Sequence, residues 1–167
     1  AEPAEGRCEL VWTDPWPGVA EGGWAYGEQQ DHPGEQRRWH EILVPRERLV
    51  QAVTGPQADG LSLAGSWAGE ALRIEAWRPR LGPDTDDRTV PHELDWLRTA
   101  VHLSKGCYKG QETVARVHNL GHPPRRLVFL DLDGSEHTLP SAGAEVIAGQ
   151  RTVGRVTSVQ LHHEAGP

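Results

Sequence analysis

The chain has 167 residues, 37% of them hydrophobic, and a formal net charge of −7 at pH 7. That length makes one ordinary domain or two small ones, by the prior of about 100–200 residues per domain. Two cysteines are too few for a disulfide scaffold, no apolar run approaches the ~18 residues of a membrane span, and the negative charge argues against a dedicated nucleic-acid binder.

With no secretory leader pattern at its start, the chain is expected in the cytoplasm, away from membranes. Residues 1–36 are rich in Gly, Pro, Trp and acids. Glu9-Leu10-Val11-Trp12 and Trp24-Ala25-Tyr26 read as short strands, paired with each other, and Asp31 to Glu35 as a loop. Trp39 to Val44 alternates toward a half-buried strand, and Arg46 to Val53 carries Leu49, Val50 and Val53 at helical spacing until Gly55-Pro56 stops it. Ser66 is the expected N-cap of a helix from Trp67 to about Arg78, with Trp67, Ala71 and Ile74 in one apolar stripe and Pro79 as its end. Pro83 to Asp87 is an acidic loop. Pro91-His92-Glu93 opens a short helix through Leu94, Leu97 and Ala100. Lys105-Gly-Cys-Tyr-Lys-Gly-Gln-Glu112 is a glycine-bracketed loop leading into a helix from about Gln111 to His118, closed by Asn119 and Gly121.

From about residue 125 the texture changes. Arg126 to Leu132 alternates and ends at Asp133-Gly134, a hairpin signal. Glu145-Val-Ile147, Thr152-Val153 and Arg155 to Val159 follow at short intervals, so a small antiparallel barrel is expected.

Cys107 is the main chemical candidate. Cysteine becomes nucleophilic when nearby cations or a helix N-terminus favour its thiolate. The chain uses 15 Arg but only two Lys, and both, Lys105 and Lys109, flank Cys107. The plain alternative is a small buried cysteine in a turn. His102, His118 and His122 add metal-ligand types, but without a Cys-x-x-Cys or a clean helical pair they read as scattered histidines, and no metal site is assigned. Glu75 and Arg78, three apart, can share a helix face. There a carboxylate accepts paired N–H bonds and a guanidinium meets a ligand carboxylate, or the two form a solvated ion pair. Asp84-Thr-Asp-Asp87 reads as an exposed turn before a cation site, and most of the seven tryptophans as core.

The eight residues Lys105–Glu112 resemble the signature of the YgfZ family, folate-binding proteins of iron–sulfur cluster assembly and repair related to the glycine-cleavage aminomethyltransferases (GcvT). Ala71-Leu-Arg-Ile-Glu-Ala-Trp-Arg-Pro-Arg-Leu-Gly82, Asp84-Thr-Asp86, Thr113-Val-Ala-Arg-Val-His118 and Val153-Gly-Arg-Val-Thr-Ser158 extend the resemblance across roughly residues 37–163. It implies an α+β fold: part of a ferredoxin-like, aminomethyltransferase-like folate-binding domain (1–124, signature loop 105–112), followed by a small antiparallel β-barrel (125–167). It implies tetrahydrofolate as cofactor, Glu75 against the pterin ring with Arg78 close by, and Cys107 as the functional thiol with Lys105 and Tyr108 beside it. Iron–sulfur client or assembly proteins would be the partners, with no nucleic acid.

Two departures stand out. The family often reads Glu-Ala-Gly-Arg where this chain has Glu75-Ala-Trp77-Arg78, and its members have on the order of 300 residues, so this chain, which also lacks Met, is expected to be an incomplete piece. The aminomethyltransferases carry an acidic residue and an aromatic where Cys107 and Tyr108 stand, which argues against glycine cleavage itself. The leading expectation is thus a tetrahydrofolate-binding accessory protein for iron–sulfur enzymes. Its rivals are a folate-dependent one-carbon transferase or demethylase, and a non-catalytic binding module.

Overall fold

The computed structural model describes residues 10–27, 32–55, 60–135, 138–164 and 166; Cys8, Glu9, Asp31 and Pro56 lie outside the described residues. Strand β1 (Leu10–Thr13) pairs antiparallel with β2 (His40–Leu43), Leu10 opposite Leu43 and Thr13 opposite His40. The expected partner, Trp24–Tyr26, is not a strand. Its backbone is taken by another segment: Trp24 N–H donates to the Leu97 carbonyl at 3.0 Å and Tyr26 N–H to the Asp95 carboxylate. Both strands of the β1–β2 pair are exposed along their whole length, so β2 is not half-buried as its alternation implies.

The expected helix over Arg46–Val53 splits into a 3-10 turn (Arg46–Arg48) and the short helix α1 (Leu49–Thr54). Helix α2 covers Ser66–Glu75, with Gly65 rather than Ser66 at the cap position. It also stops three residues short of Arg78. The stop is a Schellman closure: Trp77 N–H donates to the Ile74 carbonyl at 2.9 Å and Arg78 N–H to the Arg73 carbonyl at 3.0 Å. Pro79 is therefore not the terminator. The face α2 buries also differs from its apolar stripe. Arg73 is its buried residue, while Trp67 is 78% exposed.

The segment after Pro91 forms two 3-10 turns, Pro91–Leu94 and Trp96–Arg98, broken at Asp95 with φ +55°. Asp95 accepts from Tyr26 N–H and from Arg98 Nε at 2.9 Å, so the break is a side-chain clamp. Helix α3 (Gln111–Leu120) starts where expected and runs two residues past His118, so that Gly121 closes it and Asn119 lies inside the helix. The core that gathers these pieces holds Trp16, His92 and Leu97 fully buried, with Val114 and Val117 of α3 and Ala76 after α2. Trp16 Nε1 donates to the Ala76 carbonyl at 2.8 Å. The Arg78 and Arg98 guanidiniums lie over the Trp16 ring at 5.1 and 5.6 Å.

Strands β3 (Glu145–Ala148) and β4 (Arg151–Arg155) form an antiparallel hairpin. Its two-residue turn places Gly149 at φ +65°, a conformation that favours glycine, and a bulge falls where Val153 has no opposite partner. Residues 126–132 are neither helix nor part of a ladder, although Gly134 at φ +68° and the Ser135 N–H to Asp133 Oδ1 bond (2.9 Å) supply the expected turn chemistry. The return residues 136–137 lie outside the described residues. Among the described residues the structure is thus mixed helix and strand with two small sheets, and a closed barrel is not shown.

The two expected parts are joined by charge. Arg73 Nη1 meets Asp84 Oδ2 at 2.9 Å, with 9% and 2% of the side chains exposed. Asp84 Oδ1 accepts from the hydroxyls of Thr157 (2.7 Å) and Ser158 (2.6 Å), and Oδ2 from Arg80 N–H at 2.9 Å. The acidic loop is therefore buried at Asp84, not an exposed turn. Burial pushes the Asp84 carboxyl up. The Ser158 and Thr157 hydroxyls, the Arg80 N–H and the Arg73 charge outweigh it and hold the group below the usual carboxylate value of 3.8. Asp86 is likewise held far down, first by Arg125 and then by Thr89; Arg155 also meets it at 3.1 Å.

Asp84→Ala leaves Arg73 buried without its main partner, so it should destabilise the fold by about 3–5 kcal/mol in urea unfolding, whereas Asp87→Ala should change little. His92 and His32 are both held below their usual value of 6.5, first by burial. The unfolded chain therefore takes up more protons than the folded one as pH falls past 6.5, so their share of stability is complete above that value and declines below it. Asp84 acts the same way lower down: its contribution is whole above 3.8 and lost as pH falls through its depressed folded value. Urea midpoints should fall in these two stages between pH 8 and 2, and Asp84→Asn should flatten the lower one.

Candidate functional site

A cavity of about 960 Å³ opens between the end of α2 and the C-terminal segments. Glu75, Trp77 and Arg78 line one side; Phe129, Val153 and His162 contribute to the others. The volume matches that of small-molecule sites, about 300–1,000 Å³, which combine apolar walls with a few placed polar groups.

Each sequence-expected residue has a definite place. Glu75 ends α2 on the cavity wall, its side chain 55% exposed, with His162 Nε2 3.8 Å from Oε2. Its carboxylate is thus open to a ligand while its backbone is fixed by the helix. Arg78 also lines the cavity, but its Nε binds Asp14 Oδ2 at 3.2 Å and its guanidinium covers Trp16. It does not pair with Glu75, because the chain reverses at Trp77 before Arg78 can join the helix face. Arg78 is therefore a strut between the core and the cavity rather than a free anion receptor.

Trp77 sits at the reversal with φ +51°. The Schellman closure puts a left-handed residue there, usually glycine, and a side chain with a Cβ costs roughly 1–2 kcal/mol in that region. The indole packs edge-on to His32 (5.8 Å) and near-parallel to Phe129, with centroids 6.3 Å apart and planes at 21°.

The signature loop lies elsewhere. None of residues 105–112 lines this cavity. Cys107 is exposed and unbridged, which removes the buried-turn alternative. Lys105 holds its ammonium over the Tyr108 ring at 5.0 Å. Tyr108 N–H donates to Gln111 Oε1 at 3.1 Å, so the first residue of α3 reaches back to fix the loop. Gly110, at φ +88°, makes the turn into α3.

The histidines do not converge on a metal, and no group of three metal-ligand side chains stands together among the described residues. His118 Nδ1 instead pairs with the Tyr26 hydroxyl at 2.8 Å, and His102 Nδ1 accepts from Ser104 N–H at 3.1 Å. Residue spacing did not reveal Phe129 or His162 as cavity residues. They come from segments 50 and more positions beyond α2, and only the folded chain brings them there.

An aminomethyltransferase of Streptomyces coelicolor is 32% identical over 124 residues, 71% of this chain and 33% of its own. An aminomethyltransferase of a Nostoc species is 34% identical over 129 residues, 75% of this chain and 33% of its own. A Yersinia enterocolitica protein named tRNA-modifying protein YgfZ is 30% identical over 128 residues, 70% of this chain and 38% of its own. The chain therefore spans about a third of the length of these relatives. No family model matches, and no solved structure does. No helix among the described residues is long and apolar enough to cross a membrane.

If Cys107 is the open thiol of a fixed loop, iodoacetamide should label it in the native chain at nearly the rate seen in urea. Tryptic peptide mass spectrometry reads this, and protection by tenfold or more in the native state would contradict the exposure.

Proposed function

We propose that this chain, which belongs to the YgfZ/GcvT-like family, is part of a tetrahydrofolate-binding protein whose folate site is the cavity beside Glu75. The observation that supports this most is the position of Glu75, the residue that the family resemblance assigns to the pterin ring. Its open carboxylate stands on the wall of a cavity of about 960 Å³ with aromatic neighbours. A carboxylate accepts two parallel N–H bonds from the amino-pyrimidine edge of a pterin, and such charged bonds are about twice as strong as neutral ones. Trp77 and Phe129 offer apolar surface to the rest of the ring.

In the same reading Cys107 is a functional thiol, presented by the Lys105–Glu112 loop for redox, transfer or transient cluster contact, with Lys105 and Tyr108 shaping its surroundings. The clients are iron–sulfur enzymes or their assembly proteins, and the setting is cytoplasmic. Because the loop does not line the cavity, folate binding and thiol chemistry are two separable properties of this chain. The relatives carry names of two further uses: YgfZ relatives are named as tRNA-modifying, others as aminomethyltransferases. The second favours a one-carbon transfer reading, which product analysis with methylated amine donors and tetrahydrofolate distinguishes from accessory binding.

Isothermal titration with 5-formyltetrahydrofolate tests the site. The wild-type chain should bind, and Glu75→Gln should weaken binding about tenfold through loss of a charged hydrogen-bond pair. Cys107→Ser should leave the affinity unchanged. Equal affinity of wild type and Glu75→Gln would remove Glu75 from the site.

A further inference from the structure

Trp77 is placed against the local rule of its own backbone. The closure of α2 sets it at φ +51°, where a glycine would carry no penalty, yet the position holds the largest side chain. Strain of this kind persists where the surroundings over-determine it, and it clusters at sites that use the side chain so held. One contact of the indole is with the margin of the core, edge-on to the buried His32 at 5.8 Å between centroids. The indole lies on the cavity wall, near-parallel to Phe129 and two residues from the open carboxylate of Glu75. The cavity lining therefore holds both an aromatic ring and a hydrogen-bond acceptor. That pairing suits a planar heteroaromatic ring with N–H groups along one edge.

We infer that Trp77 is a specificity-determining residue of the cavity: its indole is the platform on which the flat pyrimidine ring of a pterin-type ligand stacks. This rests on the reading of the cavity as the folate site, and it names the side chain that the ring meets. Stacking on an aromatic platform is worth about 1–3 kcal/mol per ring, or roughly 5- to 150-fold in affinity.

Two measurements on the full chain test it. In titrations with 5-formyltetrahydrofolate, Trp77→Gly removes the indole and relieves the backbone, and should bind about tenfold more weakly. Trp77→Phe keeps a ring and should stay within about threefold of wild type. In the 5-fluorotryptophan-labelled protein, the Trp77 fluorine resonance, identified by its loss in Trp77→Phe, should move on saturation with ligand. It should still move in Glu75→Gln at saturating concentration, which separates the platform from the carboxylate. Trp77→Gly binding as tightly as wild type, or a Trp77 resonance that stays still at saturation, would overturn the inference and leave the indole as packing. The same spectra are recorded with pterin-6-carboxylate, adenosine and riboflavin. If 5-formyltetrahydrofolate does not bind but one of these shifts Trp77, the folate reading falls and the platform stands. If none shifts it, the platform falls as well.

Discussion

The buried pair of Arg73 and Asp84 is the interaction on which the rest of the structure depends. Arg73 lies on the inner face of α2 and Asp84 in the acidic loop beyond it, and the carboxylate also takes the hydroxyls of Thr157 and Ser158. One carboxyl group thus joins α2, its following loop and the segment after β4. A buried charge pair is only worthwhile when every donor and acceptor finds a partner. Here Arg73 also donates to Glu70, to Ser158 Oγ and to the Arg78 carbonyl. That last bond crosses the Schellman closure of α2, so the same guanidinium that anchors Asp84 also holds the turn that puts Trp77 on the cavity wall. Site geometry and the main ion pair are mechanically one unit.

A second charged layer lies outside the first. Asp86 takes Arg125 and Arg155, and Arg125 also meets Glu93 at 2.9 Å. These contacts are more exposed and individually weak. Their value is positional: they tie β4 and the chain after α3 to one loop, so the cavity has a defined far wall even though β3 and β4 form only a two-stranded sheet. A lone hairpin is marginal in water, and these ion pairs supply the tether that further strands would supply in a larger sheet.

The parts of this arrangement that were legible in the sequence are those set by local chemistry. The turn glycine of the β3–β4 hairpin, the helical run of α3 with its closing Gly121, and the cysteine loop are all written within a few residues. What could not be read is what depends on distant partners. The apolar stripe of α2 predicted that Trp67, Ala71 and Ile74 face the core, but Asp84 claims the neighbouring Arg73 as the buried residue, Ala71 and Ile74 are only half-buried, and Trp67 is exposed. Trp24–Tyr26 has strand composition, yet Asp95 and Leu97 bind its backbone before another strand can. The resemblance gives roles to Glu75 and to the signature loop but not their relative position, and the fold sets the loop outside the cavity.

The choice of cations follows from the same constraint. Arg37 and Arg78 converge on Asp14, Arg98 is clamped by Asp95, and Arg78 and Arg98 also lie over the Trp16 ring. Each of these positions asks one side chain for a planar fork, several donors at fixed angles or a flat face against an aromatic ring. Guanidinium meets those demands and a compact ammonium does not. This accounts for arginine at these buried and half-buried positions, whereas Arg46, Arg48, Arg88 and Arg116 are exposed arginines on which no such demand falls. The two lysines are then the exception that needs a reason of its own, and both stand in the exposed loop around Cys107, where no buried carboxylate requires a fork. Lys105 over Tyr108 shows the looser geometry that an ammonium on a flexible stem allows. Arginine thus serves the scaffold wherever a cation is buried, and both lysines stand on the surface around the exposed thiol.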